Sequence, residues 1–118
     1  MSEHTFLRDP AFLIMAALAE EDLHGYGIMK EVERLSGGQM RLALGTLYGA
    51  LDRLEEKGLV LVAREERQGG RLRRYYHLTD PGAGDLWRET ELQARMIDAT
   101  RESLKSRRPA SVRPLEAL

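Results

Sequence analysis

Residues 59–79 read LVLVAREERQGGRLRRYYHLT, two strand-like runs on either side of a glycine pair. The first run is rich in branched apolar residues and extends to about Arg67, and the second, RLRRYYHL, follows the glycines. Two adjacent glycines accept the positive φ angles of a tight turn, so the pattern predicts an antiparallel hairpin that turns at QGG. Four arginines and no acid lie between residues 67 and 79, which concentrates positive charge at the tip of the hairpin.

The chain of 118 residues has a formal net charge of -1, but that charge is unevenly distributed. Residues 1–40 carry three basic and seven acidic side chains, residues 41–79 carry eight and five, and residues 80–118 carry seven of each. The positive segment is therefore local, as in proteins that attract a polyanion. Basic side chains that only solvate a surface explain the composition equally well.

Length and composition indicate one globular domain, with 42% hydrophobic and 31% charged residues. The longest apolar run, residues 11–19, is shorter than the roughly 20 residues of a membrane span, and the N-terminus lacks the pattern of a secretion signal. The chain has no cysteine, which excludes disulfides, thiolate metal sites and a thiol nucleophile. We therefore expect a cytoplasmic protein without membrane association.

Three helices are predicted before the hairpin and one after it. Asp9 followed by Pro10 is a favourable helix start, and glycines at 37, 38 and 58 suit the left-handed residue that ends a helix. The expected helices cover residues 10 to about 23, 28 to about 35, 43–46 to about 57, and 80 to about 106.

The last helix has Thr79 as its expected N-cap, with a proline in its first turn. Gly82 occupies the position at which a capping box has Glu or Gln, so this start is expected to be weaker than it could be. Residues 107–118 contain two prolines and little periodicity, and are expected to form a mobile tail.

The element order is typical of a winged helix-turn-helix, a mainly α fold with a small β-hairpin, here followed by a long C-terminal helix. In that fold the second helix of the pair enters the DNA major groove. The predicted organisation is a DNA-binding domain at residues 1–79, a dimerisation helix at residues 80–106, and the tail.

The third helix is expected to face the core with Leu47, Leu51 and Leu54. Its other positions are small or basic, so a groove wall can approach and basic side chains can reach phosphates, while the N–H groups at its start favour an anion. The candidate DNA contacts on this helix are Gly45, Thr46, Tyr48, Gly49, Arg53 and Lys57, with Ala50 expected on the same outer face.

Two other interpretations of this helix remain open. An ordinary amphipathic helix whose basic residues pair with Asp52, Glu55 and Glu56 accounts for the same pattern. Tyr48 lies at the edge of the apolar stripe, and is equally well interpreted as a phosphate contact or as a half-buried core residue.

Strand alternation predicts that Arg73 points outward, while Tyr76 and Leu78 face the core. A hairpin of this kind can enter the minor groove or hold its flanking phosphates, and we expect Arg67 to Arg74 to lack neighbouring acids. A solvated hairpin whose charges discourage aggregation explains the same residues, but the basic helix before it favours DNA. The candidate DNA contacts of the hairpin are Arg67, Gly70, Arg71 and Arg73.

Three blocks resemble the PadR-type transcriptional regulators: HGYGI at 24–28, GTLYGALDRLEEKGLV at 45–60, and RRYYHLT at 73–79. The resemblance covers roughly residues 10–105, with the blocks in the expected order. It implies a dimeric repressor with a winged-helix domain and a single dimerisation helix, without a separate large sensor domain. It carries recognition-helix roles to Thr46 and Tyr48, and wing roles to Gly70, Arg71 and Arg73. Leu72 departs from the proline often found in the wing.

The last helix also predicts a dimer without the family. At 1.5 Å per residue it is roughly 39 Å long, which exceeds the diameter of about 30 Å expected for the preceding domain. Its apolar residues form two stripes, of which one can cover the domain and the other requires a partner; a two-fold homodimer supplies one. Such a dimer predicts a palindromic double-stranded DNA operator. The candidate dimerisation residues are Leu86, Leu92, Met96, Ile97 and Leu104.

Trp87 is the only tryptophan of the chain. The resemblance implies a site for a small hydrophobic or aromatic effector between subunits, which Trp87 and Met96 are candidates to line. A tryptophan in the core of the dimer is the favoured interpretation.

The sequence contains no catalytic or cofactor motif. His4, His24 and His77 lack ligand-type neighbours at helical spacing, so no metal site is predicted, and adjacent carboxylates on helices diverge. We expect neither an enzyme nor a cofactor. The alternative to a DNA-binding regulator is a winged-helix module that binds another protein without specific DNA binding, as such folds sometimes do.

Overall fold

The computed structural model describes residues 9–107 and contains four helices and a three-stranded antiparallel sheet. The helices are α1 (Pro10–Ala17), α2 (Gly25–Leu35), α3 (Leu44–Glu56) and α4 (Asp80–Leu104). The strands are β1 (Leu23–His24), β2 (Val60–Gln68) and β3 (Arg71–Leu78), in the spatial order β1-β3-β2. This is the predicted winged helix-turn-helix, in which the β2–β3 hairpin is the wing. The predicted tail falls outside the described residues except for Arg107, as does His4.

The helix starts follow the local signals in the sequence. The Asp9 carboxylate accepts a hydrogen bond from the N–H of Ala11 at 2.8 Å, and the Thr79 hydroxyl accepts one from Gly82 at 3.1 Å. Thr79 also donates to the carbonyl oxygen of Gly58 at 2.7 Å, which ties the start of α4 to the end of α3. Both predicted N-caps are therefore confirmed.

The first helix is shorter than predicted. It ends at Ala17, and Leu23–His24 pairs with Tyr75 and Tyr76 of β3 as an added edge strand. Glu20 and Glu21 follow the helix end, where carboxylates oppose the negative end of the helix dipole. Pairing with β3 then provides hydrogen-bond partners for the backbone N–H and C=O groups of Leu23–His24, which a longer helix would otherwise have provided.

The core lies between the first three helices and the sheet. Its fully buried side chains come from α1, α2, α3 and β2, and each contributes about 1.5–3 kcal/mol through removal of apolar surface from water. Tyr76 is buried, and Leu78 packs against the core, as predicted. The largest of the fully buried side chains are Ile14, Ile28, Val32, Leu47, Leu51 and Val60.

A β-bulge interrupts the wing near its base. The register shifts between Val62, which pairs with Tyr76, and Arg64, which pairs with Tyr75, so Ala63 has no partner. A bulge adds one residue to one strand and changes the face to which later side chains point. It places the Arg64 guanidinium over the Tyr75 ring, with 4.0 Å between the guanidinium carbon and the ring centroid.

Candidate nucleic-acid interface

The outer face of α3 is open to solvent along its length. Gly45, Thr46, Arg53 and Lys57 are exposed and Gly49 is partly exposed, as predicted. Ala50 is fully buried, so its expected place on the outer face is wrong. It lies beside Leu54 on the helical wheel. Its methyl group is small enough to fill the core where α3 packs closely.

The first turn of α3 has free anion-binding capacity. Its N-cap is Ala43, which makes no side-chain capping hydrogen bond, and the first intrahelical bond runs from Leu47 to the carbonyl of Ala43. The N–H groups of Gly45 and Thr46 thus lack a capping side chain at the positive end of the helix dipole. A phosphate oxygen is a suitable acceptor there.

The basic residues of α3 are not neutralised within residues 9–107. Neither Arg53 nor Lys57 forms a salt bridge in that part of the chain, so the alternative pairing with Asp52, Glu55 and Glu56 is not observed. Both side chains are exposed on the same side of the helix. They can therefore reach an external anion without first breaking an ion pair.

Tyr48 connects α3 with the start of α2. The residue is 43% exposed, but its hydroxyl lies against the backbone of Gly25, where an added Cβ would be 2.5 Å from the oxygen. The ring is held at the helix junction while one side remains in solvent. This geometry suits a hydroxyl that reaches a phosphate, and no side chain other than glycine fits at position 25 without moving it.

The wing turns at Gly69 and Gly70, which have φ angles of 56° and 79°. Successive positive φ angles characterise the hairpin turn that was predicted. Arg67 and Arg71 next to the turn are exposed, and within the described residues neither has a salt-bridge partner. The tip therefore presents positive charge without a local counter-ion.

The wing arginines do not all share one face. Register places Arg71 opposite Gln68 and Arg73 opposite Glu66, whereas Arg67 lies opposite Leu72 on the alternate face. The structure thus brings Arg71 and Arg73 together along one side of the hairpin. Arg67 approaches the tip from the other side.

The expectation that Arg67 to Arg74 lack neighbouring acids is wrong at Arg74, which contacts Glu65 across the hairpin at 3.6 Å. Residues distant in sequence become direct neighbours in an antiparallel pair, so counting acids along the chain missed this one. Arg64, outside that range, binds Glu66 on its own strand at 2.8 Å.

His24 belongs to this surface, although the sequence indicated only a helix entry. Its Nδ1 accepts from the N–H of Gly27 at 3.1 Å, and its Nε2 lies 3.1 Å from Nη1 of Arg73. Burial, with a smaller contribution from the Arg73 charge, lowers the pKa of His24 from 6.5. The only signal in the sequence was the HGYG motif, which does not reveal a contact across 49 residues.

These contacts form one continuous surface. It runs from Tyr48 on α3 to Gly25 at the start of α2, through His24, and on to Arg73 on β3. The start of α3 and the base of the wing are therefore held together by a few direct contacts. The surface offers backbone donors, hydroxyls and guanidinium groups, which are the groups that bind phosphates.

Most apolar residues of α4 have no cover in the single chain. Trp87 is 71% exposed and Met96 56%, and Leu92, Ile97 and Leu104 are also exposed. Leu86, by contrast, packs against the core of its own chain. It is therefore less available to a partner than the other candidate dimerisation residues, Leu92, Met96, Ile97 and Leu104. One apolar stripe of α4 was expected to pack on the winged-helix domain of its own chain. Only the part of that stripe near Leu86 does.

Within residues 9–107, no group of three or more Asp, Glu and His side chains is arranged to hold a metal ion. Over the same range, every helix is too short or too polar to cross a bilayer.

Residues 14–88 match the model of the transcriptional regulator PadR-like family. The chain is also similar to the transcriptional regulator YqjI of Escherichia coli strain K12, with 35% identity over 95 residues that make up 80% of this chain. The match spans 42% of YqjI, so this chain covers less than half of the length of that relative.

Solved structures show the same fold. A PadR family transcription regulator from Clostridium difficile R20291 matches with a TM-score of 0.68 and 28% identity, covering 80% of this chain and 97% of the other. The Bacillus subtilis PadR in complex with operator DNA matches with a TM-score of 0.61 and 23% identity, covering 83% of this chain and 63% of the other.

Proposed function

Because the chain belongs to the PadR-like family of transcriptional regulators, we propose that it binds a specific double-stranded DNA operator as a homodimeric repressor. In this proposal α3 is the recognition helix and the wing contacts the flanking backbone. Residues 1–79 bind DNA and residues 80–106 form the dimer. Action on DNA requires the cytoplasmic location that the composition predicts.

The observation that carries the proposal is the continuous surface from α3 to the wing. Arg53 and Lys57 on α3 and Arg71 on the wing lie beside it, and Arg67 lies on the other face of the hairpin tip. None of the four forms a salt bridge within the described residues, although the whole chain has a net charge of -1. Exposed cations without local counter-ions give a local positive field that attracts an external anion. Because they lie on two elements, a helix and a hairpin, they suit a polymer of phosphates better than a single small anion.

Sequence readout is assigned to the small residues of α3. Thr46 has a short side chain and Gly49 has none, so base edges in the major groove can approach the helix closely. Tyr48 and the first-turn N–H groups would then fix the register on phosphates. The Bacillus subtilis relative in complex with operator DNA supports this role for the shared fold.

The homodimer is proposed to form through α4. Besides Trp87, four large apolar side chains of this helix are exposed, Leu92, Met96, Ile97 and Leu104, and each would be removed from water by a second copy. A two-fold dimer presents two recognition helices to successive major grooves about 34 Å apart, which requires a palindromic operator.

An effector site is proposed next to Trp87, since its ring is 71% exposed and belongs to α4, the helix through which the dimer is proposed to form. A small hydrophobic or aromatic molecule that fills a gap between the two subunits would change the distance between the recognition helices. Repression would be relieved if that molecule bound preferentially to a dimer whose recognition helices are not spaced to fit the operator. Trp87 packed in the dimer core, without an effector, stays the favoured reading of this residue.

A protein-binding module is the second candidate. Leu44 on α3 is 60% exposed and Leu72 on the wing 52% exposed, so two apolar side chains lie on the proposed DNA surface. A partner protein would cover them, whereas DNA would leave them at the edge of the contact. The two candidates differ in their dependence on salt.

The test is fluorescence anisotropy with a labelled duplex from upstream of the gene and a scrambled duplex of the same composition. With 6 to 8 phosphate contacts per dimer, log affinity should fall with log salt at a slope of about -5 to -7. Tighter binding to the upstream duplex establishes specific recognition.

A matched control distinguishes a general loss of positive charge from loss of the proposed DNA-binding surface. Arg88→Ala with Arg95→Ala removes two positive charges from the polar side of α4 and should leave affinity and slope nearly unchanged. Equal, weak and salt-insensitive binding of both duplexes would contradict the proposal and favour the protein-binding module.

A further inference from the structure

His24 lies where three elements meet. It is the last residue of β1, it is the N-cap of α2, and its ring packs edge-on against Tyr75 of β3 with 5.2 Å between centroids. Its two ring nitrogens face two different donors, the N–H of Gly27 and the guanidinium of Arg73, each at 3.1 Å.

A neutral imidazole has one N–H and one acceptor nitrogen, so it can accept from only one of these donors at a time. In one tautomer Nδ1 caps Gly27 and Nε2–H faces Arg73; in the other, Nε2 accepts from Arg73 and the cap is lost. A protonated ring accepts from neither. The helix cap and the wing arginine therefore compete for the same side chain.

Arg73 has no carboxylate partner among the described residues. Glu66 lies opposite it in the hairpin but binds Arg64, whose guanidinium in turn covers the outer face of the Tyr75 ring. The contact of Arg73 is thus a neutral nitrogen, which orients the guanidinium without neutralising its charge. A phosphate oxygen, which forms a charge-assisted bond, can displace such an acceptor easily.

We infer that His24 is a positioning residue for Arg73, holding its guanidinium at the base of the wing in the free protein and releasing it to a DNA phosphate. On release the ring changes to the Nε2–H tautomer, in which Nδ1 caps α2, so DNA binding and closure of the helix start reinforce each other. The release of Arg73 to a DNA phosphate rests on the proposed DNA-binding function. The contact with Arg73 in the free protein is independent of it.

The variants for the test are His24→Asn, Arg73→Ala and their combination. Asparagine is among the best N-cap residues, so His24→Asn keeps a cap on α2 but is too short to reach Arg73. His77→Asn is the matched control, because His77 lies on the same sheet face but binds Asp22 at 2.7 Å. Thermal unfolding verifies that all variants are folded.

The first measurement is anisotropy with a random-sequence duplex at low salt, which needs no knowledge of the operator. His24→Asn should strengthen binding by about three- to tenfold, because the variant has no His24–Arg73 hydrogen bond to break before Arg73 meets a phosphate. In the Arg73→Ala background the same change should have no effect, and His77→Asn should have none in either. Equal effects of His24→Asn with and without Arg73 would overturn the positioning role.

The second measurement is a titration of the His24 ring by NMR in the protein without DNA. The Arg73→Ala change should move the His24 titration toward higher pH, and His77→Asn should not move it. An unmoved titration overturns the contact itself. If wild-type protein binds no DNA but the titration moves, the proposed function fails and the His24–Arg73 contact stands.

Discussion

The hydroxyl of Tyr48 lies against the backbone of Gly25, so closely that an added Cβ would be 2.5 Å from the oxygen and 3.1 Å from the ring carbon that carries it. One glycine at the start of α2 therefore decides where the tyrosine of α3 is held. The contact joins the two helices of the helix-turn-helix at the point from which the proposed DNA surface begins.

Replacement of this glycine should displace the ring more than it destabilises the fold. Gly25→Ala gains helix propensity of up to about 1 kcal/mol, which offsets much of the cost of moving a side-chain end that is half in solvent. We expect a small change in Tm but weaker DNA binding by anisotropy. Gly27→Ala is the control, since its Cβ would meet Leu23 at an ordinary 3.5 Å. Unchanged DNA affinity in Gly25→Ala would remove Tyr48 from the interface.

The start of α4 should tolerate no side chain at Gly82. A Cβ there would overlap the carbonyl oxygen of Leu59 and approach Leu78 Cδ1 to 2.8 Å, and the overlapping group is backbone. Gly82→Ala should lower the free energy of unfolding by roughly 2–4 kcal/mol in urea titrations. Gly84→Ala, which meets only the end of Arg88, should instead raise it by up to about 1 kcal/mol. Similar stabilities for the two variants would refute this close approach.

Stability should depend on pH through His24. Its pKa is lowered in the folded protein, so the ring contributes stability that is fully present above the unfolded value of 6.5 and is lost as pH falls through the folded value. Urea unfolding of wild type and His24→Asn should show the wild type losing more stability between pH 7.5 and 5, a window above the ordinary pKa of 4.5 of Glu31. Parallel pH profiles for the two proteins would mean that the pKa of His24 is the same in the folded and unfolded states.

The wing should control the salt dependence of binding. Arg71→Ala with Arg73→Ala removes four phosphate contacts from a dimer, and each contact contributes about 0.9 to the log–log slope. The slope should flatten by about 3 to 4 on specific and unrelated duplexes alike, while sedimentation of the dimer stays unchanged. An unchanged slope would place the wing away from the DNA.

The exposed side of α4 should set the oligomeric state. Ile97→Glu places a carboxylate on the apolar side of the helix, where burial of a charge without a partner is unfavourable, so dissociation of the dimer is expected in analytical ultracentrifugation. Arg95→Glu puts the same carboxylate on the polar side and should leave the dimer intact. A dimer that survives Ile97→Glu would have to use another surface.

Much of the fold was predicted because its signals are local. The caps at Asp9 and Thr79, and the turn at Gly69 and Gly70, depend on side chains and φ angles within a few residues. The stripe of Leu47, Leu51 and Leu54 follows from helical spacing alone. Each signal acts before distant parts of the chain meet, so each could be identified in the sequence.

The sequence by itself therefore determined the helices, the hairpin and the concentration of arginine at its tip. Only the tertiary structure decided that Leu23–His24 joins the sheet, that Ala50 is buried, and that Glu65 contacts Arg74 across the wing. It also placed Arg73 against His24, 49 residues away, and Gly82 against Leu59. The physical reason is that these features arise from pairing and close packing between distant segments, whose energies depend on register and distance and have no counterpart in local sequence.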